Sequence, residues 1–485
     1  MFTASDIAVA NLSTNETIVA FVYLLAAVGF VLGLHMMRSP ATARRGNLLS
    51  AAGMTVAVGV AVYHLWDIEG VGLEFHVTRW GWIALAAGAL VGGLGGLWSA
   101  RVVPMTEMPQ LVSVFNAVGG GAAALVALVD FLRAQDPSTL GLEFHIPVGL
   151  DVLIGSVTFS GSLIAAGKLQ GWISGSPITF IGSRFLTILS AIAGIGGVVW
   201  LAMEPGWVPL SVITAAALIF GILMVLPIGG ADMPVVVSLL NAFTGLAVAM
   251  AGFVLGNDML IIAGALVGAS GSILTKLMAD AMNRSIMAIM IGGFGTGDEG
   301  GGATGAGGDV RLVDADDVAI QLAYAEKVII VPGYGLAAAQ AQREAGELGT
   351  LLEEHGVTVY YAIHPVAGRM PGHMNVLLAE ADVPYTQLKE MDDVNPDFDT
   401  ADISLVVGAN DVTNPLARKP GNPISGMPIL DVDKSRSIVV IKRSLGHGYA
   451  GLDNELYSNP KTGMFLSDAK KGLGAILAAV KENLD

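Results

Sequence analysis

The stretch KVIIVPGYGLAAAQ, residues 327–340, decides how this chain is organised. A short β-branched run enters a turn with two glycines and then an alanine-rich helical pattern, which is typical of the first unit of a nucleotide-binding α/β domain. Residues 1–291 have instead a glycine-rich, apolar, helical pattern. We therefore predict a polytopic α-helical membrane domain (1–291), a glycine-rich linker (292–309) and a Rossmann-like α/β domain with a parallel sheet (310–485).

The composition agrees with a membrane protein, since 53% of the residues are hydrophobic, 14% are charged and the mean hydropathy is +0.65. The chain has no cysteine, which excludes disulfides, thiolate nucleophiles and cysteine-based zinc or iron–sulfur sites. Redox chemistry would therefore need a bound organic cofactor. The net charge of −16 argues against nucleic acid as a partner.

Apolar runs of about 20 residues, the length that crosses a bilayer core, can be placed nine times. They lie at residues 18–37, 48–66, 82–103, 111–132, 148–169, 185–203, 208–226, 235–255 and 259–278. Most basic residues near span ends fall on one side, which predicts that the C-terminal domain is cytoplasmic. That side has Arg38, Arg44, Arg45, Arg101, Lys168, Arg184, Lys276 and Arg284, against Arg79 and Arg133 on the other. The first span is predicted to be retained, with its N-terminus outside.

Two segments, EMPQLVSVFNAVG (107–119) and DMPVVVSLLNAFT (232–244), repeat the same polar residues at an offset of 125 positions. In each copy a serine and an asparagine lie three residues apart on one helix face. The pairs are Ser113 with Asn116 and Ser238 with Asn241. Both copies begin on the predicted cytoplasmic side, so the repeat is parallel. Because polar groups are costly in a bilayer, the pairs either relay protons and hold water or fasten helices together.

Other polar groups and glycines of the membrane domain allow three further expectations. Asp232, at the start of the second copy, is the carboxylate best placed to exchange protons with the cytoplasm. We expect no buried Asp or Glu in the middle of a span, and structural roles near helix ends for the histidines. We also expect the glycine clusters to let helices pack closely. The histidines are His35, His64, His76 and His145, and the glycines are Gly92, Gly93, Gly95, Gly96 and the run 119–121.

In the α/β domain, Gly333, Gly335 and Ala338 form the pattern G-x-G-x-x-A between a predicted strand and a predicted helix over residues 337–356. Glycines at these places allow a tight turn and let a pyrophosphate approach the helix N-terminus. The second predicted strand, 358–363, ends without the acidic residue that usually holds the ribose of NAD, which favours NADP.

Three further segments are candidates for the ligand-binding edge of the sheet. Lys442, Arg443 and Ser444 follow the predicted strand 437–441 and either grip a 2′-phosphate or form a solvated strand end. The segments HPVAGRMPGHMN and ISLVVGAND place Arg369 and Asp411 beyond other strand ends, although Asp411 also suits a plain turn. The sequence contains no Ser-His-Asp order, metal-ligand cluster or paired carboxylates of a hydrolase, so we expect no catalytic side chain and no metal.

Taken together, these segments resemble the beta subunit of the proton-translocating NAD(P) transhydrogenase. The resemblance spans nearly the whole chain and is carried by RRGNLLSAAGM, TEMPQLV, ADMPVVVSLLNAFTG, MNRS, GYGLAAAQAQ, HPVAGRMPGHMNVLLAEA, VVGANDVTNP and KRSLGHGYAGLDN. It implies that this chain binds NADP(H), that a separate alpha subunit binds NAD(H), and that hydride passes directly between them while protons cross the membrane. It also implies a multi-pass protein of the plasma (inner) membrane and a dimer of alpha-beta units.

The resemblance also implies which residues surround NADP(H). With the fingerprint residues included, the set is Gly333, Tyr334, Gly335, Ala338, Val366, Ala367, Gly368, Arg369, Met370, Pro371, Gly408, Asn410, Asp411, Lys442, Arg443, Ser444, Gly448, Tyr449, Ala450 and Gly451. One position departs from part of the family, because some bacterial relatives have a histidine, regarded as the proton relay, where this chain has Asn116. We therefore expect Asn116 and Asn241 to line the proton path and another subunit to supply the titrating group.

Two other functions compete with this interpretation. One is an ion channel or transporter regulated by a cytoplasmic nucleotide-sensing domain. Its signature would be a filter, but the sequence GYG at 333–335 follows a cytoplasmic strand and no pore helix. The other is a membrane-anchored dehydrogenase without proton coupling, for which nine spans with matched Ser/Asn pairs would be excessive.

Overall fold

The structure is a computed structural model of the chain. It describes residues 14–37, 40–70, 78–104, 107–134, 139–175, 177–229, 232–282, 285–286, 289, 310–368, 372–422, 424–446, 450 and 452–484. The predicted linker 292–309 lies outside these residues.

Within the described ranges, nine helices are long and apolar enough to cross a membrane, as predicted. They are α1 (Thr14–Met36), α2 (Pro40–Gly70), α3 (Arg79–Val102), α4 (Met108–Arg133), α5 (Leu142–Gln170), α6 (Ser183–Met203), α7 (Trp207–Val225), α8 (Met233–Leu255) and α9 (Asp258–Ala281). All of them begin before the predicted spans, and the difference is largest for α2 and α5. Helix α2 begins at a proline, which the first helical position tolerates, and α5 begins six residues before the predicted 148.

Helices α4, α5 and α8 pack against one another at the centre of the bundle, with α6 and α7 on α5 and α9 on α8. The glycine run 119–121 lies in this centre. A Cβ at Gly119 would lie 2.8 Å from Thr244 on α8, and one at Gly120 would lie 2.7 Å from the Cβ of Thr158 on α5. The expectation that this run permits close helix packing is confirmed.

Helix α3 does not share this packing, and most of its side chains are exposed. A Cβ at any of its four clustered glycines, Gly92, Gly93, Gly95 and Gly96, would meet nothing within 4 Å. The expectation of close packing at these glycines is therefore wrong within this chain, because no described helix lies against their face.

The C-terminal domain is a six-stranded, entirely parallel sheet with strand order β3-β2-β1-β4-β5-β6. Its strands are β1 (Lys327–Pro332), β2 (Thr358–Ile363), β3 (Leu388–Glu390), β4 (Ile403–Val407), β5 (Ser437–Lys442) and β6 (Thr462–Leu466). Its helices are α10 (Ala315–Ala323), α11 (Tyr334–Ala338), α12 (Gln342–Glu354), α13 (His373–Glu380), α14 (Met391–Val394) and α15 (Ala469–Leu484). This order confirms the predicted Rossmann-like fold.

Both faces of the sheet are covered, so β1 and β4 are apolar along almost their whole length. One face packs against helices α10, α12, α13 and α15, and its core includes Leu322, Leu348 and Ile476. The other packs against α14 and the segments around Phe398 and Leu456. Both apolar layers lie within residues 310–484, so this domain contains its own complete core.

The helix after the glycine turn is interrupted, which corrects the prediction of one helix over 337–356. Helix α11 ends at Ala338, and α12 begins at Gln342. Between them Gln340 has a φ of 52°, a left-handed conformation that cannot continue a right-handed helix. The helix that starts at the fingerprint therefore has five residues, and its dipole is correspondingly small.

Candidate functional site

The strand order reverses between β1 and β4, and the loops that follow these two strands meet there. The N–H of Gly335 donates to the carbonyl of Gly408 (2.9 Å), and the N–H of Gly333 donates to the carbonyl of Val407 (2.9 Å). Gly408 has a φ of 67°, and a Cβ there would lie 2.7 Å from the backbone of Leu336. Glycine at these positions therefore lets the two backbones touch at the switch point, where open α/β sheets bind ligands.

Two further predicted site residues, Tyr334 and Ala338, lie at this turn. Tyr334 is half-buried, and its ring centroid lies 6.5 Å from that of His373 in the segment after β2. Ala338 is exposed, so its small side chain is not required for packing of α11 on the sheet. Both residues belong to the rim of the switch point.

Beyond β4, Asn410 and Asp411 are held by the C-terminal part of the domain. The side-chain oxygen of Asn410 accepts hydrogen bonds from Asn454 (3.1 Å) and from the hydroxyl of Tyr457 (2.9 Å). A carboxylate oxygen of Asp411 accepts from the N–H of Ala450 (3.0 Å). Asp411 also begins a short 3-10 turn, so it serves both as a turn residue and as an anchor for the segment that contains Ala450.

Lys442 is the last residue of β5, and its ammonium group lies over the ring of Tyr457, 4.9 Å from the centroid. It also donates to the carbonyl of Gly446. Burial lowers the pKa of Lys442, and the nearby Asp411 carboxylate opposes part of that shift. The adjacent Arg443 and Ser444 are exposed. Lys442 is therefore held in one orientation at the end of β5. The side chains of Arg443 and Ser444 beside it are accessible to a ligand.

The segment after β2 is anchored by a buried histidine. The Nδ1 atom of His364 accepts from the N–H of Val366 (3.2 Å), and its Nε2 lies 2.9 Å from the carbonyl of Pro428. This pattern requires a neutral imidazole that carries its proton on Nε2. Burial lowers the pKa of His364 to about 4, against a smaller opposing effect of the bond to Pro428.

The remaining predicted residues of this segment lie close by. Ala367 is buried, and Gly368 has a φ of 106° with the ring of His373 directly beside it. A cavity of about 210 Å³ separates this segment from the end of α9, and its lining includes Leu277 and Met278. Six predicted site residues lie outside the described part of the chain: Arg369, Met370, Pro371, Gly448, Tyr449 and Gly451.

In the membrane domain, the first copy of the polar repeat bonds to helix backbones. Asn116 is buried, and its side-chain amide donates to the carbonyl of Val237 on α8 (3.3 Å). The hydroxyl of Ser113 donates to the carbonyl of Pro109 in its own helix (2.9 Å).

The second copy is oriented differently. The hydroxyl of Ser238 points to α9, where it donates to the carbonyl of Gly271 (3.4 Å) and accepts from Thr275 (3.1 Å). Asn241 is half-buried. Asn116 and Ser238 therefore bond in different directions, and their bonds fasten α4 to α8 and α8 to α9.

At the predicted cytoplasmic end, Lys168 connects α5 to the segment that leads into α8. Its ammonium group donates to the carbonyls of Leu226 (2.5 Å) and Ile228 (2.8 Å), shortly before Asp232 begins α8. Asp232 is itself buried. Lys168 and Asp232 thus mark a polar end of an otherwise apolar bundle.

The expectation of no buried carboxylate within a span is wrong. Asp151 lies inside α5, and its side chain is completely buried. Neither of its carboxylate oxygens accepts a hydrogen bond from the described residues. The sequence contained the signal, since an ionisable residue inside an apolar span is by itself a functional candidate. In contrast, Tyr457 lies beyond the motif KRSLGHGYAGLDN, and nothing in that motif marked its last residue, Asn454, as a partner of Asn410.

Comparison with known proteins agrees with these features. A family model described as NAD(P) transhydrogenase beta subunit matches residues 19–479. The chain belongs to this family. Two curated sequences named NAD(P) transhydrogenase subunit beta, from Rhodospirillum rubrum and from a strain of that species, are each 45% identical to it over 471 residues. Each alignment covers 94% of this chain and 98% of the relative.

Membership of the NAD(P) transhydrogenase beta subunit family confirms the resemblance read from the sequence motifs. It makes the chain part of an oxidoreductase that works with an alpha subunit. With its apolar helices, the chain is a multi-pass membrane protein. The family decides against a nucleotide-regulated ion channel or transporter.

Proposed function

We propose that this chain binds NADP(H) at the carboxyl edge of its parallel sheet, and that hydride passes directly between NADP(H) here and NAD(H) on the alpha subunit. The observation that carries the proposal is the switch point between β1 and β4, where glycine loops meet beside the cationic end of β5. The chain has one dinucleotide fingerprint, at Gly333 and Gly335, so the second nucleotide must bind elsewhere.

The residues at this edge suit NADP(H). The glycine turn after β1 offers backbone to the pyrophosphate, and Lys442, Arg443 and Ser444 offer two cations and a hydroxyl to the 2′-phosphate. Strand β5 lies two strands from β1, roughly 10 Å away, which is a suitable reach for one nucleotide. When bound, the nicotinamide ring supplies the hydride chemistry, and the protein binds and orients it.

The proton half of the proposal rests on the polar repeat. In this proposal Asn116, Asn241, Ser113 and Ser238 line a path along α4, α8 and α9, and Asp232 exchanges protons with the cytoplasm. The bonds of Asn116 to α8 and of Ser238 to α9 give the path a role in helix contacts as well. Protonation along such a path can therefore change how these helices pack.

We propose a two-state cycle in which this change reaches the nucleotide domain. The cavity between the end of α9 and the segment after β2 supports a coupling route. One wall is α9, which bonds to Ser238 of the proposed proton path, and the other is a segment of the proposed nucleotide site. Hydride transfer would occur in one state and nucleotide exchange in the other. The C-terminal domain is cytoplasmic, the membrane is the plasma (inner) membrane, and the active unit is a dimer of alpha-beta units.

The test uses membrane vesicles that contain the chain and its alpha subunit. NADPH formation from NADH and NADP⁺ is followed together with the quench of a pH-sensitive dye. Asn116→Leu and Asn241→Leu are expected to lower proton movement per hydride at least fivefold. Ser190→Ala is the control, because that buried serine bonds only within α6. Unchanged proton movement in both leucine variants would remove these residues from the path.

A further inference from the structure

Asp151 is the most unusual charged residue of the membrane domain. It is the tenth residue of α5, so it lies about 13 Å along the helix from Leu142, well inside a bilayer core. Its side chain is fully buried, and within the described residues both oxygens are without a hydrogen bond. An unpaired charged carboxylate is very costly at such a place, and binding a proton removes most of that cost.

Asp151 belongs to a polar stripe on one face of α5. Gly155, Thr158 and Ser162 follow it at spacings of four, seven and eleven residues, which places all four on the same side of the helix. Thr158 and Ser162 are also fully buried. The Ser162 hydroxyl has no hydrogen-bond partner among the described residues.

The stripe faces α4. A Cβ at Gly155 would lie 2.5 Å from the carbonyl oxygen of Gly120, and one at Gly120 would lie 2.7 Å from Thr158. The two helices run in opposite directions, and Asn116 is one turn before Gly120. Ser162 therefore lies at about the level of Asn116, and Asp151 lies about 16 Å farther towards the outer side.

We propose that Asp151 is a proton-binding carboxylate of the outer half of the path, and that the stripe from Asp151 to Ser162 connects it to Asn116. This inference rests on the proposed function. It adds a titrating group on this chain to any group that the alpha subunit supplies. Only an O–H bond at the carboxylate forms and breaks, and the buried hydroxyls of Thr158 and Ser162 lead from it towards Asn116.

Few other charges lie on α5 and on the helices that pack against it. Helix α4 contributes Asp130 and Arg133 near its outer end, and α5 itself contributes Glu143 and His145. Within their described spans, α7 and α8 have no ionisable side chain, and α6 has only Arg184 at its opposite end. Asp151 is therefore the deepest acidic group of this half of the bundle.

The test compares Asp151→Asn with wild type in vesicles that contain the alpha subunit. Asparagine preserves the size of the side chain but cannot bind and release a proton. Asp151→Asn is expected to lower proton movement and coupled turnover at least tenfold while NADPH affinity stays within twofold. Asp130→Asn is the matched control, because Asp130 is a half-buried carboxylate near the end of α4, and it is expected to change neither.

The outcomes separate this inference from the function on which it rests. If wild type moves protons and Asp151→Asn moves them equally well, the role of Asp151 is refuted and the proposed function stands. If wild type moves no protons during hydride transfer, both proposals fail. Should Asp151→Asn not assemble, Asp151→Glu is used, and the pH dependence of its proton movement is expected to shift. A profile identical to wild type would also refute the role.

Discussion

Replacing Gly408 with alanine tests whether the contact between the two glycine loops holds the nucleotide edge together. The residue has a φ of 67°, and the added Cβ would lie 2.7 Å from both the carbonyl carbon of Gly335 and the nitrogen of Leu336. The left-handed backbone costs a non-glycine residue about 1–2 kcal/mol. Overpacking against backbone that cannot rotate away adds about 1–3 kcal/mol. We expect the free energy of unfolding to fall by about 2–5 kcal/mol.

A second glycine separates these two effects. Gly421 has a φ of 88°, but a Cβ there would meet nothing within 4 Å. Gly421→Ala therefore has only the backbone cost, about 1–2 kcal/mol. Urea unfolding of residues 309–485 measures both variants, and NADPH titration shows whether the displaced loop weakens binding. Equal destabilisation by the two substitutions, with NADPH affinity unchanged in both, would refute this account of the loop contact.

Two further predictions concern the same domain. Burial lowers the pKa of His364 to about 4, so the folded domain holds the ring in its neutral form. The contribution of this ring to the free energy of unfolding is complete above pH 6.5. It falls by about 3 kcal/mol as the pH decreases towards 4. Urea unfolding across this range should show a steeper loss for wild type than for His364→Asn, and an equal slope would contradict the assignment. Gln340→Gly should raise the free energy of unfolding by about 0.5–1 kcal/mol, because glycine tolerates the φ of 52° there. Glu347→Gly in α12 should lower the free energy of unfolding by about 1 kcal/mol. If Gln340→Gly does not stabilise the domain, or if both substitutions stabilise it, the backbone argument is wrong.

The membrane helices and the sheet could be predicted because their patterns are long and consistent. Apolar length gives the spans directly, and β-branched runs such as those of β1 and β4 can only be buried strands between covering layers. The parallel order followed from strands that alternate with helical patterns. Helix starts were less certain, since α2 extends through Arg44 and Arg45, which a hydropathy window rejects.

The local errors have a common physical origin, which is tertiary contact. The helix breaks at Gln340, where φ is 52°, although the local sequence has strong helix formers on both sides. The exposed glycines of α3 match a packing motif, but no described helix lies against them. A sequence shows that small residues are present and does not show which helix uses them.

The candidate site was predictable where backbone chemistry defines it. Gly333, Gly335 and Gly408 are recognisable because the switch point needs residues without a Cβ. The partners of Asn410 were not predictable, because Asn454 and Tyr457 lie more than 40 residues further along the chain and a motif does not show which side chains meet. Asp151 was predictable from its position in the span, because an ionisable residue inside an apolar helix is a functional candidate.

The affinity of residues 309–485 for NADPH and for NADH, with Lys442→Ala beside wild type, tests the central claim most directly. We expect wild type to bind NADPH far more tightly than NADH. Loss of a charged hydrogen-bond donor should weaken NADPH binding by about 1.5–3 kcal/mol, roughly tenfold to 150-fold, and leave NADH binding unchanged. Equal affinity of wild type for the two nucleotides, or an equal effect of the substitution on both, would contradict the assignment of NADP(H) to this chain.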